Sequence, residues 1–122
     1  MAEYTQQTYD EDMPWPPKDF TGEWVVNWPN GMLKFRSLFL EGKPEGEYLC
    51  RWENGELAQI GKSEDGKSVG LWLDYRKDGT KLKENEIFAY GTFQVRHFDK
   101  NGRLSKIEDW KDLKRISIRV IK

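Results

Sequence analysis

The sequence predicts an all-β protein, built as a single elongated, twisted antiparallel sheet of consecutive β-hairpins behind an extended N-terminal arm. Three observations predict it. A motif recurs as GEWVVNWPNG (22–31), GEYLCRWENG (46–55), GLWLDYRKDG (70–79) and FQVRHFDKNG (93–102), with turn glycines Gly31, Gly55, Gly79 and Gly102 spaced 24, 24 and 23 residues apart. A fixed period in this range marks a stacked array in which each unit buries surface on its neighbours. Apolar and polar residues alternate ahead of each turn, the period of a strand. Composition agrees: 37% hydrophobic is thin for an aliphatic interior, but 14% aromatic with six tryptophans suits a single layer that buries large rings at a few places.

The arm spans 1–21. Its stretch DMPWPPKDF holds three prolines, which block both helix and ladder pairing, so it runs extended or as polyproline. Trp15, between Pro14 and Pro16, is the expected anchor on the first repeat, supplying the cap that a repeat array needs.

The array spans 22–122, as units 22–45, 46–69, 70–92 and 93–112 and a final strand 115–121. In the first unit Trp24, Val26 and Trp28 share one side of the opening strand, with Val25 and Asn27 on the other. Pro29-Asn30-Gly31 follows, and Asn-Gly predicts a two-residue hairpin turn in which both residues take positive φ. Glu53-Asn54-Gly55, Lys77-Asp78-Gly79 and Lys100-Asn101-Gly102 repeat that chemistry. Return strands are expected at 33–40, 57–62, 81–88 and 103–109. Second turns fall at Glu41-Gly42-Lys43, Asp65-Gly66-Lys67 and Tyr90-Gly91, and degenerate to Lys111-Asp112 in the last copy. Ser105-Lys106-Ile107-Glu108 also fits a capping box opening a short helix, with Ile107, Trp110 and Leu113 on one face. The repeat register favours a strand there. Residues 115–120 alternate cleanly, and Arg115 and Arg119 are expected to blunt that open edge.

Net charge is −1 with 34% charged residues, so the basic excess of nucleic-acid binders is absent. The two ends differ in sign: Asp10, Glu11 and Asp12 crowd the start, while Lys111, Lys114, Arg115, Arg119 and Lys122 crowd the last stretch. No apolar run approaches the ~20 residues of a bilayer span, and the first residues lack the pattern of a signal peptide. A lone cysteine, Cys50, allows no internal disulfide. The expectation is a cytoplasmic protein.

The repeated residues resemble the MORN (membrane occupation and recognition nexus) repeat family in its bacterial variant. Gly22, Trp24, Trp28, Asn30, Gly31 and Leu33, then Gly42 and Lys43, match the pattern. Gly46, Tyr48, Trp52, Asn54, Gly55 and Leu57 match it again, followed by Gly66 and Lys67. Gly70, Trp72, Tyr75, Asp78, Gly79 and Leu82 match with small shifts. The fourth copy keeps Phe98, Asn101, Gly102 and Leu104 but lacks the opening glycine. The resemblance implies a row of antiparallel hairpins. It also implies either an antitoxin or immunity protein, as many bacterial members are annotated, or a scaffold that dimerises or touches membrane lipids. Such an implication rests on analogy of fold.

Residue chemistry gives no sign of catalysis. His97 and Cys50 share a repeat position, but four strands separate them, roughly 19 Å at the spacing of a sheet. One His and one Cys make no zinc shell, and the glycines recur as turns instead of forming a phosphate loop before a helix. Neither catalytic residues nor a metal or cofactor are expected. The stronger signal is a ladder at the ends of the opening strands, Trp28, Trp52, Arg76 and Asp99, which with Asp74 and His97 forms a candidate partner-binding face. The expected partner is a cognate protein toxin or effector, without nucleic acid or membrane, and a homodimer is compatible with an open sheet. Lipid binding is disfavoured because Lys62, Lys67, Lys81 and Lys83 are interspersed with Glu64, Asp65 and Glu84.

Overall fold

The computed structural model describes residues 15–122; the predicted arm's residues 1–14 lie outside the described residues. Nine strands follow one another: β1 Gly22–Asn27, β2 Leu33–Leu40, β3 Lys43–Arg51, β4 Leu57–Glu64, β5 Lys67–Tyr75, β6 Lys81–Ala89, β7 Thr92–Phe98, β8 Leu104–Lys111 and β9 Lys114–Val120. They form a single open sheet in chain order, every neighbouring pair antiparallel. Among the described residues there is no helix, and the segment that also fits a capping box is β8. Its pairing puts Ile107 opposite Arg96 and Trp110 opposite Phe93, on opposite faces of the sheet, so the apolar stripe of a helix never forms.

The turns depart from expectation in an instructive way. At the Asx-Gly corners only the glycines Gly31, Gly55, Gly79 and Gly102 have positive φ, between 83° and 92°. In the first, Gly31 N–H donates to the Trp28 carbonyl (2.9 Å) and Trp28 N–H to the Met32 carbonyl (2.7 Å). That is a three-residue loop with a left-handed glycine at its end, not a two-residue turn. Pro29 holds φ near the value the first corner position wants, and Asn30 Oδ1 accepts the Met32 N–H at 2.9 Å, which locks the corner without a left-handed asparagine. The extra residue must be absorbed, so register shifts recur at Val26/Asn27, Cys50/Arg51, Asp74/Tyr75 and His97/Phe98. Two-residue turns with positive φ at both positions sit instead at the opposite edge, at Glu41-Gly42, Asp65-Gly66 and Asp112-Leu113.

Register separates two faces. One carries Trp24, Val26, Phe35, Tyr48, Cys50 and Trp72 and is called the aromatic face; the other carries Val25, Leu49, Ile60 and Leu73. The core lies on the aromatic face over β1–β4: Val26, Phe35, Cys50 and Ala58 are buried, with Trp24, Tyr48 and Trp52 packed against them. Burial of Val26 and Phe35 contributes roughly 1.5–3 kcal/mol each. Trp15 stands edge-on to Phe35 and Phe39, 5.9 Å from each, and Phe20 lies 5.4 Å from Trp24. The Pro-flanked segment thus lays its rings over the first hairpin, covering apolar surface that a single layer leaves open.

Candidate protein-binding face

The ladder Trp28, Trp52, Arg76, Asp99 lies at the Asx-Gly edge, and its first three members act as staples between repeats. Trp28 Nε1–H donates to the Arg51 carbonyl and Trp52 Nε1–H to the Tyr75 carbonyl, both at 3.0 Å and both spanning 23 residues. In the third repeat a guanidinium takes over. Arg76 Nη2 donates to the Phe98 carbonyl (2.7 Å), and its Nη1 to those of Lys81 (2.9 Å) and Asp99 (3.2 Å). Asn30 and Asn54 add parallel bonds, each Nδ2 donating at 2.9 Å to a carbonyl one repeat onward, Glu53 and Lys77. Asp99 turns inward: its Oδ1 accepts the N–H groups of Asn101 (2.9 Å) and Arg103 (3.0 Å). The bond from the Arg103 backbone, aided by Asn101, holds its carboxyl below the usual value. The polar atoms of this ladder therefore hold corners in line, and what they offer outward is ring surface. Cations already lie over those rings, Lys34 Nζ 4.4 Å from Trp28 and Lys77 Nζ 5.6 Å from Trp52.

Asp74 and His97 lie elsewhere, in a row across the strands of the aromatic face. Register sets Gln59, Asp74, Lys83, His97 and Lys106 side by side on β4–β8. Asp74 Oδ1 accepts from Gln59 Nε2 at 2.7 Å, while Lys83 Nζ stands 3.9 Å from Oδ2, beyond hydrogen-bond range. Burial raises the Asp74 pKa, and Gln59 and Lys83 offset it only in part. His97 Nε2 lies 3.2 Å from Glu108 Oε1, and Glu108 also accepts from Arg115 at 3.0 Å. Burial works to raise the Glu108 pKa, but the bonds from His97 and Arg115 outweigh it and the net shift is downward.

Trp52 and Asp74 meet in a groove of about 190 Å³, with Ala58, Gln59, Tyr75 and Lys83 among its walls. Trp28, Arg76, His97 and Asp99 are not part of it. Gln59, Lys83 and Tyr75 are additions to the residues singled out from the sequence. Their signal was the hairpin register, which places Gln59 and Lys83 on either side of Asp74. The groove offers an aromatic wall, a partly desolvated carboxylate and an adjacent ammonium: a site for a polar side chain on an apolar stem, without a positioned nucleophile. Among the described residues no group of three or more His, Cys, Asp or Glu is placed to hold a metal. No helix there is long and apolar enough to cross a membrane. No family model, curated protein or solved structure matches the chain.

Proposed function

We propose that this chain is a non-enzymatic protein-binding module of MORN-like repeats, an immunity or antitoxin protein that neutralises a cognate bacterial toxin by direct contact. The observation that carries the reading is the groove beside Trp52, where an aromatic wall runs into the Asp74–Lys83 pair on a stiff sheet. Aromatic anchors bordered by polar groups are where protein partners gain most of their binding energy. The sheet presents them on a rigid frame, since both edges are stapled from repeat to repeat. The resemblance of the repeats to the toxin-linked variant names the kind of partner.

Co-expression with the product of the neighbouring gene tests this. The two proteins are expected to copurify, and the Trp52→Ala variant to weaken the complex by about 10-fold or more. Failure to copurify, together with no protection of cells from that product, would remove the proposal. Flotation with anionic vesicles is the control, and recovery with the lipid would move the assignment to the scaffold class.

A further inference from the structure

Among the described residues Lys34 is the one buried charged side chain, at 0% exposed. Its place in the repeat makes that burial unusual. Where each Asx-Gly hairpin shifts register, one residue of the return strand is left over: Lys34 in the first unit, Ala58 in the second, Leu82 in the third and Ser105 in the fourth. Ala58 simply joins Phe35 and Cys50 in the core. Three units out of four therefore fold without a charge at this position, and the repeat itself does not ask for one.

An ammonium withdrawn from water is strongly destabilising unless a counter-charge accompanies it. Lys34 Nζ stands 4.4 Å from the centre of the Trp28 ring. A cation–π contact is weaker than the loss of hydration that full burial imposes, so a carboxylate must share the site.

The entry of the chain onto the sheet says which one. Trp15 lies 5.9 Å from Phe35, the residue that follows Lys34. Asp10, Glu11 and Asp12 precede Trp15 by five, four and three residues and lie outside the described residues. An extended chain spans at most roughly 3.5 Å per residue, so all three carboxylates fall within roughly 10–18 Å of Trp15 and can reach Lys34. Residues 1–17 contain neither lysine nor arginine to compete for them. We propose that a carboxylate of the run Asp10-Glu11-Asp12 pairs with the buried ammonium of Lys34, strapping the leading segment over Trp28 at the edge of the candidate binding face. The strap keeps the outer ring surface of Trp28 for the chain itself, so an incoming partner meets an acidic segment there in place of an indole.

The contact is tested on the full chain alone, so its failure is separate from that of the toxin reading. Neutralising the run by Asp10→Asn, Glu11→Gln and Asp12→Asn together is expected to lower the folding equilibrium constant about 100-fold or more in urea denaturation, because it strands a buried charge. In a Lys34→Met background the same three substitutions are expected to change it less than ~3-fold. Lysine acetylation read by mass spectrometry gives a second measurement. In the wild type Lys34 is expected to react at least ~10-fold more slowly than the exposed Lys100, and to lose that protection once the run is neutralised. Equal costs in the two backgrounds overturn the proposal. So does a Lys34 that labels as fast as Lys100 in the wild type, or one that stays protected after neutralisation.

Discussion

The indole of Trp72 occupies the space above Gly61, where any side chain on that residue would stand. Gly61 is buried in β4 without a positive φ, so the glycine serves the ring and not the backbone. Trp72 Nε1–H closes the contact on the Lys62 carbonyl at 3.1 Å, and its ring continues onto Tyr48, 5.5 Å away. Gly61→Ala is therefore expected to destabilise the protein by about 1–3 kcal/mol, as overpacking does. Adding Trp72→Ala should absorb most of that cost in a double-mutant cycle by urea denaturation. Independent, additive costs would contradict the contact.

Trp28→Phe and Trp52→Phe keep an aromatic ring and remove the indole N–H together with part of the ring surface. Each is expected to cost about 1 kcal/mol, because the Arg51 or Tyr75 carbonyl loses its bond across repeats. Arg76→Lys should cost more, about 2 kcal/mol, since an ammonium cannot reproduce the fork that reaches Phe98, Asp99 and Lys81. Chemical denaturation ranks the three against the wild type; variants as stable as the wild type would show that the staples contribute nothing.

Leu113 sits at φ 66° in the last two-residue turn, where the equivalent turns carry Gly42 and Gly66. A left-handed backbone costs a residue with a Cβ roughly 1–2 kcal/mol. Leu113→Gly is expected to raise the melting temperature despite removing an apolar side chain, because that side chain is exposed. A lower melting temperature would show that the leucine's contact with Gly91 outweighs the strain.

On the face opposite the aromatic one, Glu84 accepts from Lys81 at 2.6 Å and from Arg96 at 2.8 Å. The Lys81 bond is the main cause of a depressed Glu84 pKa, with burial opposing and Arg96 assisting. A carboxylate whose folded pKa lies below its ordinary value of 4.5 contributes stability above that pH. The contribution is lost as pH falls through the folded value. Stability should drop on acidification below about pH 4.5, and Glu84→Gln should flatten that drop. Parallel curves for the two proteins would exclude Glu84 as a source of acid sensitivity.

Asp74 carries the opposite sign. Its folded pKa is raised by burial above the ordinary 3.8, so it costs stability once pH rises through the carboxylate range. Asp74→Asn keeps an acceptor for Gln59 and removes the charge. The variant is expected to match or exceed wild-type stability at pH 7 while losing partner affinity, a separation that a purely structural residue would not show. Calorimetry at pH 7 and at pH 3 measures the difference, which should shrink in acid.

Strand order and both sets of corners were legible because the signals are local. Period-two alternation gives the strands, and glycine at a fixed interval gives the turns; 33–40 matches β2 residue for residue. The type of the Asx-Gly corner was not legible, because Asn-Gly serves two loops. The choice between them rests on Pro29-type geometry and on the side-chain bond to Met32. The ladder was visible as a pattern but not as a set of staples. The bonds that link repeats run from Trp28, Trp52 and Arg76 to backbone carbonyls 22 or 23 residues away, and carbonyls leave no trace in a sequence. Gly61 was invisible for a related reason: its partner Trp72 lies on the neighbouring strand, and only register brings them together.

Trp28 and Trp52 each reach forward by a single unit, to equivalent carbonyls. Excising 46–69 would hand the indole of Trp28 the acceptor that now serves Trp52, and duplicating that stretch would supply one more of each. The width of this protein is thus a matter of copy number, a ruler that could be lengthened or trimmed by whole graduations without redrawing the scale.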